Sequence, residues 1–131
     1  MALVATNGGV NITGAFAGRL DFVGSPTNDL ISTPGDDDFD EDNHRDDSYD
    51  VFVARYDTAG GLQSAVKFGG NGDDWGNAIA QPVASTNVPI GGIFRNTASF
   101  NLTNPGASPK VKSAGLQDAF FLSLNLVDDL T

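Results

Sequence analysis

Hydrophobic residues alternate with polar ones in several short runs of this chain, and nowhere do they recur at helical spacing. In "DVFVARYD" (50–57), Phe52, Ala54 and Tyr56 fall on one side, and Val51, Val53 and Arg55 on the other. In "DAFFLSLN" (118–125), Phe120, Leu122 and Leu124 alternate in the same way. A period of two, rich in aromatic and branched residues, predicts β-strands. "DTAGG" (57–61) predicts a turn from which "LQSAVKF" (62–68) returns as the second strand of a hairpin. "GGNGDD" (69–74) predicts another turn, after which "WGNAIAQPV" (75–83) leads through "ASTN" into "VPIGGIF". The expected fold class is all-β, antiparallel, in short strands.

The chain also matches itself. "VNITGAFAGRLDF" (10–22) aligns with "VPIGGIFRNTASF" (88–100) at a constant offset of 78, and "DVFVARYD" aligns with "DAFFLSLN" at an offset of 68. The lost ten residues lie between the matched blocks. There the first copy holds an acidic stretch and the second holds "NLTNPGASPKVKSAGLQ". This organisation is a single all-β module, 1–131. A repeat copy at 10–87 carries an acidic insert at 34–49, and a partial second copy occupies 88–131.

The segment "DVFVARYDTAGGLQSAVKFGGNGDDWGNAIAQPVASTNVPIGGIF" (50–94) resembles the bacterial β-propeller repeats called SBBP repeats. Asp50, Phe52, Val53, Asp57, Gly60, Phe68, Gly69, Gly70, Asp73, Asp74, Ala78, Ile79, Ala80, Gly92 and Phe94 sit where that pattern wants them. "ALVATNGGVNITGAF" (2–16) looks like the last strands of a preceding copy. The chain departs from the pattern in "QPVASTNVPI" (81–90), which lacks the family's hairpin tyrosine. The resemblance implies propeller-like blades, with a small β-sandwich as the alternative. A blade has four strands and a ring needs at least four blades, so fewer than two repeats cannot close one. The implied partners are other copies of the chain or neighbouring repeats of a longer one. The implied location is extracellular or at a bacterial cell surface.

Charge sharpens this picture because it is local. The net charge is −10, but residues 36–50, "DDDFDEDNHRDDSYD", hold nine acids and one Arg, a net of −8. The remaining eight acids and six basic residues give −2. With no basic stripe, nucleic acid is not an expected partner. No apolar run is long enough for insertion into a membrane, and the absence of Cys excludes disulfides and thiolate metal sites.

The acidic stretch spaces Asp38, Asp40, Asp42 and Asp46 as D-x-D-x-D-x-x-x-D. Calcium takes roughly six to eight oxygens, and a tightly turning chain offers every second side chain to one centre. The His44 carbonyl would add an oxygen. Asn43 stands at the sharp turn where Gly is usual, and Asn tolerates a left-handed backbone. The twelfth position is Tyr49 rather than an acid, so Asp50 closes the set only if the loop is one residue longer. A second register, beginning at Asp36 and ending at Asp47, puts Glu41 at the turn. Against calcium stands the ordinary behaviour of like-charge blocks, which repel and remain solvated.

Few other residues suggest chemistry. His44 is the single histidine and has no Ser or Cys arrangement, so no catalytic residue is expected. Asp73 and Asp74 form either a carboxylate pair or a turn that binds its own backbone amides. Trp75 is a candidate platform for stacking a sugar. The leading expectation is a non-enzymatic structural or adhesive repeat module with a Ca²⁺-ordered loop. The alternatives are a lectin-like carbohydrate-binding module using Trp75, Asp73 and Asp74, and a non-catalytic fragment of a larger secreted hydrolase.

Overall fold

A computed structural model describes residues 1–6, 8–22, 29–39, 45–82, 85–100 and 110–125, of which 34–39 and 45–47 are described as backbone. Among these, every regular element is a strand, and all pairings are antiparallel. The strands are β1 (Ala2–Thr6), β2 (Gly9–Phe16), β3 (Arg19–Leu20), β4 (Leu30–Ile31), β5 (Pro34–Phe39), β6 (Arg45–Asp47) and β7 (Asp50–Tyr56). They continue as β8 (Leu62–Gly70), β9 (Trp75–Ile79), β10 (Asn87–Phe94), β11 (Thr97–Ser99), β12 (Lys110–Lys112) and β13 (Asp118–Asn125). A six-stranded sheet runs β1-β2-β7-β8-β11-β12 and a three-stranded sheet runs β13-β10-β9. β3 with β4, and β5 with β6, form separate pairs.

The self-match of the sequence reappears in the ladders as an identity of register. Phe16, Gly14, Ile12 and Val10 of β2 pair with Asp50, Phe52, Ala54 and Tyr56 of β7. Their counterparts Phe94, Gly92, Ile90 and Val88 of β10 pair with Asp118, Phe120, Leu122 and Leu124 of β13. The outer strand follows suit: Leu3 pairs with Ile12, and Ile79 with Ile90. Thus β1-β2-β7 and β9-β10-β13 are two copies of one unit. In each, a glycine makes room for the ring of the paired phenylalanine. A Cβ on Gly14 would lie 2.9 Å from the Phe52 ring, and one on Gly92 2.7 Å from the Phe120 ring.

The equivalence extends into segments with little residue identity. After β2 the chain turns at Gly18 (φ 76), and after β10 at Asn96 (φ 55), both left-handed. Gly18 donates its N–H to Ser32 Oγ and accepts from the Ser32 N–H, each at 2.8 Å. Asn96 does the same with Ser113, at 3.1 and 2.8 Å. Between these clamps, β3 pairs with β4 as β11 pairs with β12, Arg19 opposite Ile31 and Thr97 opposite Lys112. The acidic insertion therefore lies after Ser32 and before Asp50, where the second unit needs only the short link from Ser113 to Asp118.

Residues directly opposite in a ladder share a face. Each unit thus has a front face (Thr13, Ala15, Val51 and Val53 in the first) and a back face (Ile12, Gly14, Phe52 and Ala54). The front of the first unit packs on the back of the second. Val51, Val53 and Phe68 meet Val88, Ile90 and Leu124 in one buried cluster, flanked by Val66, Ile79, Phe100, Phe120 and Leu122. Each such side chain contributes about 1.5–3 kcal/mol by leaving water. The sheets approach closely at Gly76 of β9, where a Cβ would lie 2.2 Å from Thr13 Oγ1 and 2.9 Å from Val51 Cγ1.

Two departures from the sequence reading are local. The turn expected at 69–74 begins later, because β8 runs on through Gly69 and Gly70, which pair with Ser99 and Ala98. The acidic insert itself contains a pair of strands, β5 and β6, with Pro34 opposite Asp47 and Phe39 opposite Arg45.

Val53 and Phe121 occupy the same repeat position, yet Val53 is 0% exposed and Phe121 77%. We expect Val53→Ala to lower the free energy of urea unfolding by about 2 kcal/mol. In dilute solution, Phe121→Ala should change it by less than about 0.5 kcal/mol. Equal losses would contradict this assignment of faces.

Candidate functional site

The polar chemistry of the described residues concentrates where the two units meet, below the acidic insertion. Asp50 opens β7 and is fully buried. Its Oδ2 accepts hydrogen bonds from the Thr33 N–H and hydroxyl, both at 2.8 Å, and pairs with Lys67 Nζ at 2.8 Å. Lys67 arrives from β8 because it stands opposite Phe52 and therefore shares its face with Asp50, two residues earlier on the strand. A carboxylate taken from water is costly unless paired and hydrogen-bonded, and Lys67 with Thr33 supplies both. Ser48 Oγ lies 2.7 Å from the Thr33 carbonyl and 3.0 Å from that of Gly70. Thr33 and Ser48, at the two ends of the insertion, are thus tied to the sheet around Asp50.

Asp74 is the second buried carboxylate. Its Oδ2 accepts from the Gly70 N–H at 2.9 Å and its Oδ1 from the Arg95 N–H at 3.2 Å. Both partners are backbone amides: Gly70 lies in the same turn, whereas Arg95 follows β10, so the carboxylate ties the turn to that strand. Gly69 (φ 153) lies against both carboxylates: a Cβ there would sit 2.6 Å from Asp74 Oδ2 and 2.7 Å from Asp50 Oδ1. Asp50 Oδ1 has no hydrogen-bond partner among the described residues. Burial pushes the Asp74 carboxyl up to about 7, against the two amide bonds, and the charges of Asp50 and Asp73 push it the same way. A protonated Asp74 keeps both amide bonds, since each oxygen retains a lone pair, and relieves repulsion with Asp50.

Asp73 is half-buried and accepts from the Tyr49 N–H at 3.2 Å. The Tyr49 carbonyl in turn accepts from the Asp74 N–H at 2.7 Å, and the Tyr49 ring stacks on Trp75, with centroids 6.1 Å apart and planes 23° apart. The Arg95 guanidinium lies 5.3 Å from the centre of the Trp75 ring. The indole therefore joins the exit of the acidic insertion to β9 and β10. Beside Lys67 runs a groove of about 510 Å³, lined by Ser32, Thr33, Asn71, Thr97, Ser99 and Lys110 among others.

Of the residues singled out for calcium, Asp40, Asp42 and His44 lie outside the described residues. Asp38 falls on β5 and Asp46 on β6. Asp50 stands apart from them in what its side chain does, which is to fix the root of the insertion. Among the described residues, no three His, Cys, Asp or Glu side chains come together as a metal group would require. Asp73, Asp74 and Trp75 are brought together with Tyr49 and Arg95.

Sequence reasoning missed Thr33, Ser48, Lys67 and Arg95. The serines of the paired clamps were hidden as well, because their spacing from the preceding turn differs between the copies. Lys67 carried a usable signal, since a cation placed opposite an apolar run calls for a buried acid. Asp50 and Asp74 are both fully buried, and each is hydrogen-bonded to neighbouring groups. Compared with known families, curated proteins and solved structures, the chain gave no match.

Asp74 yields a pH prediction. Its folded pKa is raised above the ordinary 3.8, so its contribution to stability is full below that value and is lost as pH rises through about 7. The free energy of urea unfolding should fall between about pH 4 and 7 more steeply in the wild type than in Asp74→Asn. Asn replaces one acceptor by a donor and lowers stability at every pH, so the slope is the readout. Parallel profiles would show that Asp74 is ionised throughout.

Proposed function

We propose that this chain is a non-enzymatic structural repeat module of the bacterial cell exterior, built from propeller-like units and joined through their faces to further units. The observation that carries the reading is the front-to-back packing of two units with one register. Two copies related by a closed symmetric contact would present equal faces to each other, whereas these present unlike ones. Such packing is the geometry of repeat proteins, in which each unit is completed by its neighbours. The resemblance of residues 50–94 to SBBP repeats supports the propeller-like arrangement and the exterior location. The acidic insertion is carried on the repeat scaffold, and its alternate Asp spacing at 38, 40, 42 and 46 supports Ca²⁺ as the ion that orders it. Ordering would follow from cancelling the self-repulsion of clustered carboxylates. Its role is then to rigidify a surface projection for contact with a partner.

Duplication in phase tests the repeat reading. A chain with a second copy of residues 10–87 inserted after position 87 should unfold in a single transition, at a higher urea midpoint and with a steeper denaturant dependence. Separate transitions, or an unchanged midpoint, would refute it. For the insertion, a calorimetric titration of Ca²⁺ into chelator-treated protein should show saturable heat. That heat should be absent from Asp40→Ala/Asp42→Ala and from a Mg²⁺ control. No heat up to about 10 mM, beyond the weak extracellular range, would make the insertion a solvated one.

A further inference from the structure

The packed interface leaves its two halves unused at opposite ends of the molecule. The back of the second unit is covered by the front of the first, so among the described residues the back of the first and the front of the second have no counterpart. Exposure at matched positions measures what is missing. Ile79 packs against the core, while Leu3, its equivalent on the open back, is 66% exposed. Val53 is 0% exposed, while Phe121, its equivalent on the open front, is 77% exposed. Around Phe121 the open front carries Pro89, Gly91, Ile93 and Ala119 and no charged residue on β10 or β13. The open back is a groove of about 730 Å³ whose walls include Ile12, Leu20, Phe52, Tyr56 and Leu62.

We infer that the open front face of one chain docks on the open back face of a second copy of the same chain, head to tail, in the manner of the internal interface. This deepens the repeat-module reading and rests on it. A second copy is the occupant because the surface already seen to receive a front face is a back face, and this chain carries one uncovered. β11 shows how such a contact is reinforced. It crosses from the second unit to pair with β8 of the first, through Ala98 and Ser99. Its equivalent β3 pairs only with β4 among the described residues, and Leu20 and Asp21, the counterparts of Ala98 and Ser99, line the open groove. The contact is heterologous, so it propagates into a ring or a filament rather than stopping at a dimer. Chains of net charge −10 repel one another, so association strengthens as salt screens that repulsion.

The test is analytical ultracentrifugation of the whole chain from about 1 µM to about 1 mM, a range that captures weak association. The wild type should grow in mass with concentration and with salt. Leu3→Glu spoils the back face and Phe121→Glu the front face, both at exposed positions, and each should sediment as a monomer. An equimolar mixture should form a complex of twice the monomer mass and nothing larger, because one intact face of each kind remains. If either variant shifts the urea midpoint, Ala5→Glu and Ala119→Glu probe the same two faces. A wild type that stays monomeric, a variant that associates as the wild type does, or a mixture that stays monomeric would each overturn the inference. In-phase duplication that succeeds while separate chains fail to associate would leave the repeat reading standing and remove only the docking.

Discussion

Everything in this molecule hangs on one contact, in which the front of a small antiparallel sheet lies on the back of another built to the same pattern. Val51, Val53 and Phe68 on one side and Val88, Ile90 and Leu124 on the other bury their side chains there. A small antiparallel sheet gains stability by burying its apolar face, and here each unit buries a face of the other. The first unit supplies its front and the second its back, so neither is completed on both sides. Among the described residues, the same rule that forms the core therefore leaves two apolar faces open, one at each end.

The acidic insertion is subordinate to that contact. Its two ends, Thr33 and Ser48, are held by Asp50, Lys67 and the Gly70 carbonyl. Asp50 begins β7, the strand that carries Val51 and Val53 into the core. In the second unit the equivalent Asp118 does a simpler task, accepting only the Ala114 N–H at 2.9 Å among the bonds described. Adding Lys67 and the Thr33 hydroxyl to the bond the two units share turns a strand-opening aspartate into an anchor for the root of the acidic insertion. Asp74, a few ångströms across Gly69, shares the confinement and accommodates it by holding its proton up to about pH 7.

Much of the fold was legible because it follows local rules. The alternation in 50–57 and 118–125 gave β7 and β13, and Asp57 with Gly60 gave the hairpin: its Oδ1 accepts from Ala59 and Gly61 at 2.9 and 2.8 Å. The offsets of 78 and 68 located the units, since register copies residue spacing within a strand. Less legible were the short strands β3, β4, β11 and β12, which have too few residues to show a period. Also hidden was the direction of packing, because alternation reveals that a strand has two faces and not which neighbour covers each. The site was read less well still. Asp50, Asp73, Asp74 and Trp75 stood out by composition, but Asp50 and Asp74 act through Lys67 and backbone amides that only the tertiary pairing brings near.

The most direct measurement of the front-to-back contact is a methyl NOE spectrum of Ile, Leu and Val-labelled protein at a concentration where the chain is monomeric. Cross-peaks from Val51 and Val53 to Val88, Ile90 and Leu124, with the Leu3 methyls free of long-range partners in the second unit, are the predicted result. Val53 methyls that contact only their own unit, with Ile90 and Leu124 showing solvent-exposed behaviour, would contradict the architecture on which the rest depends.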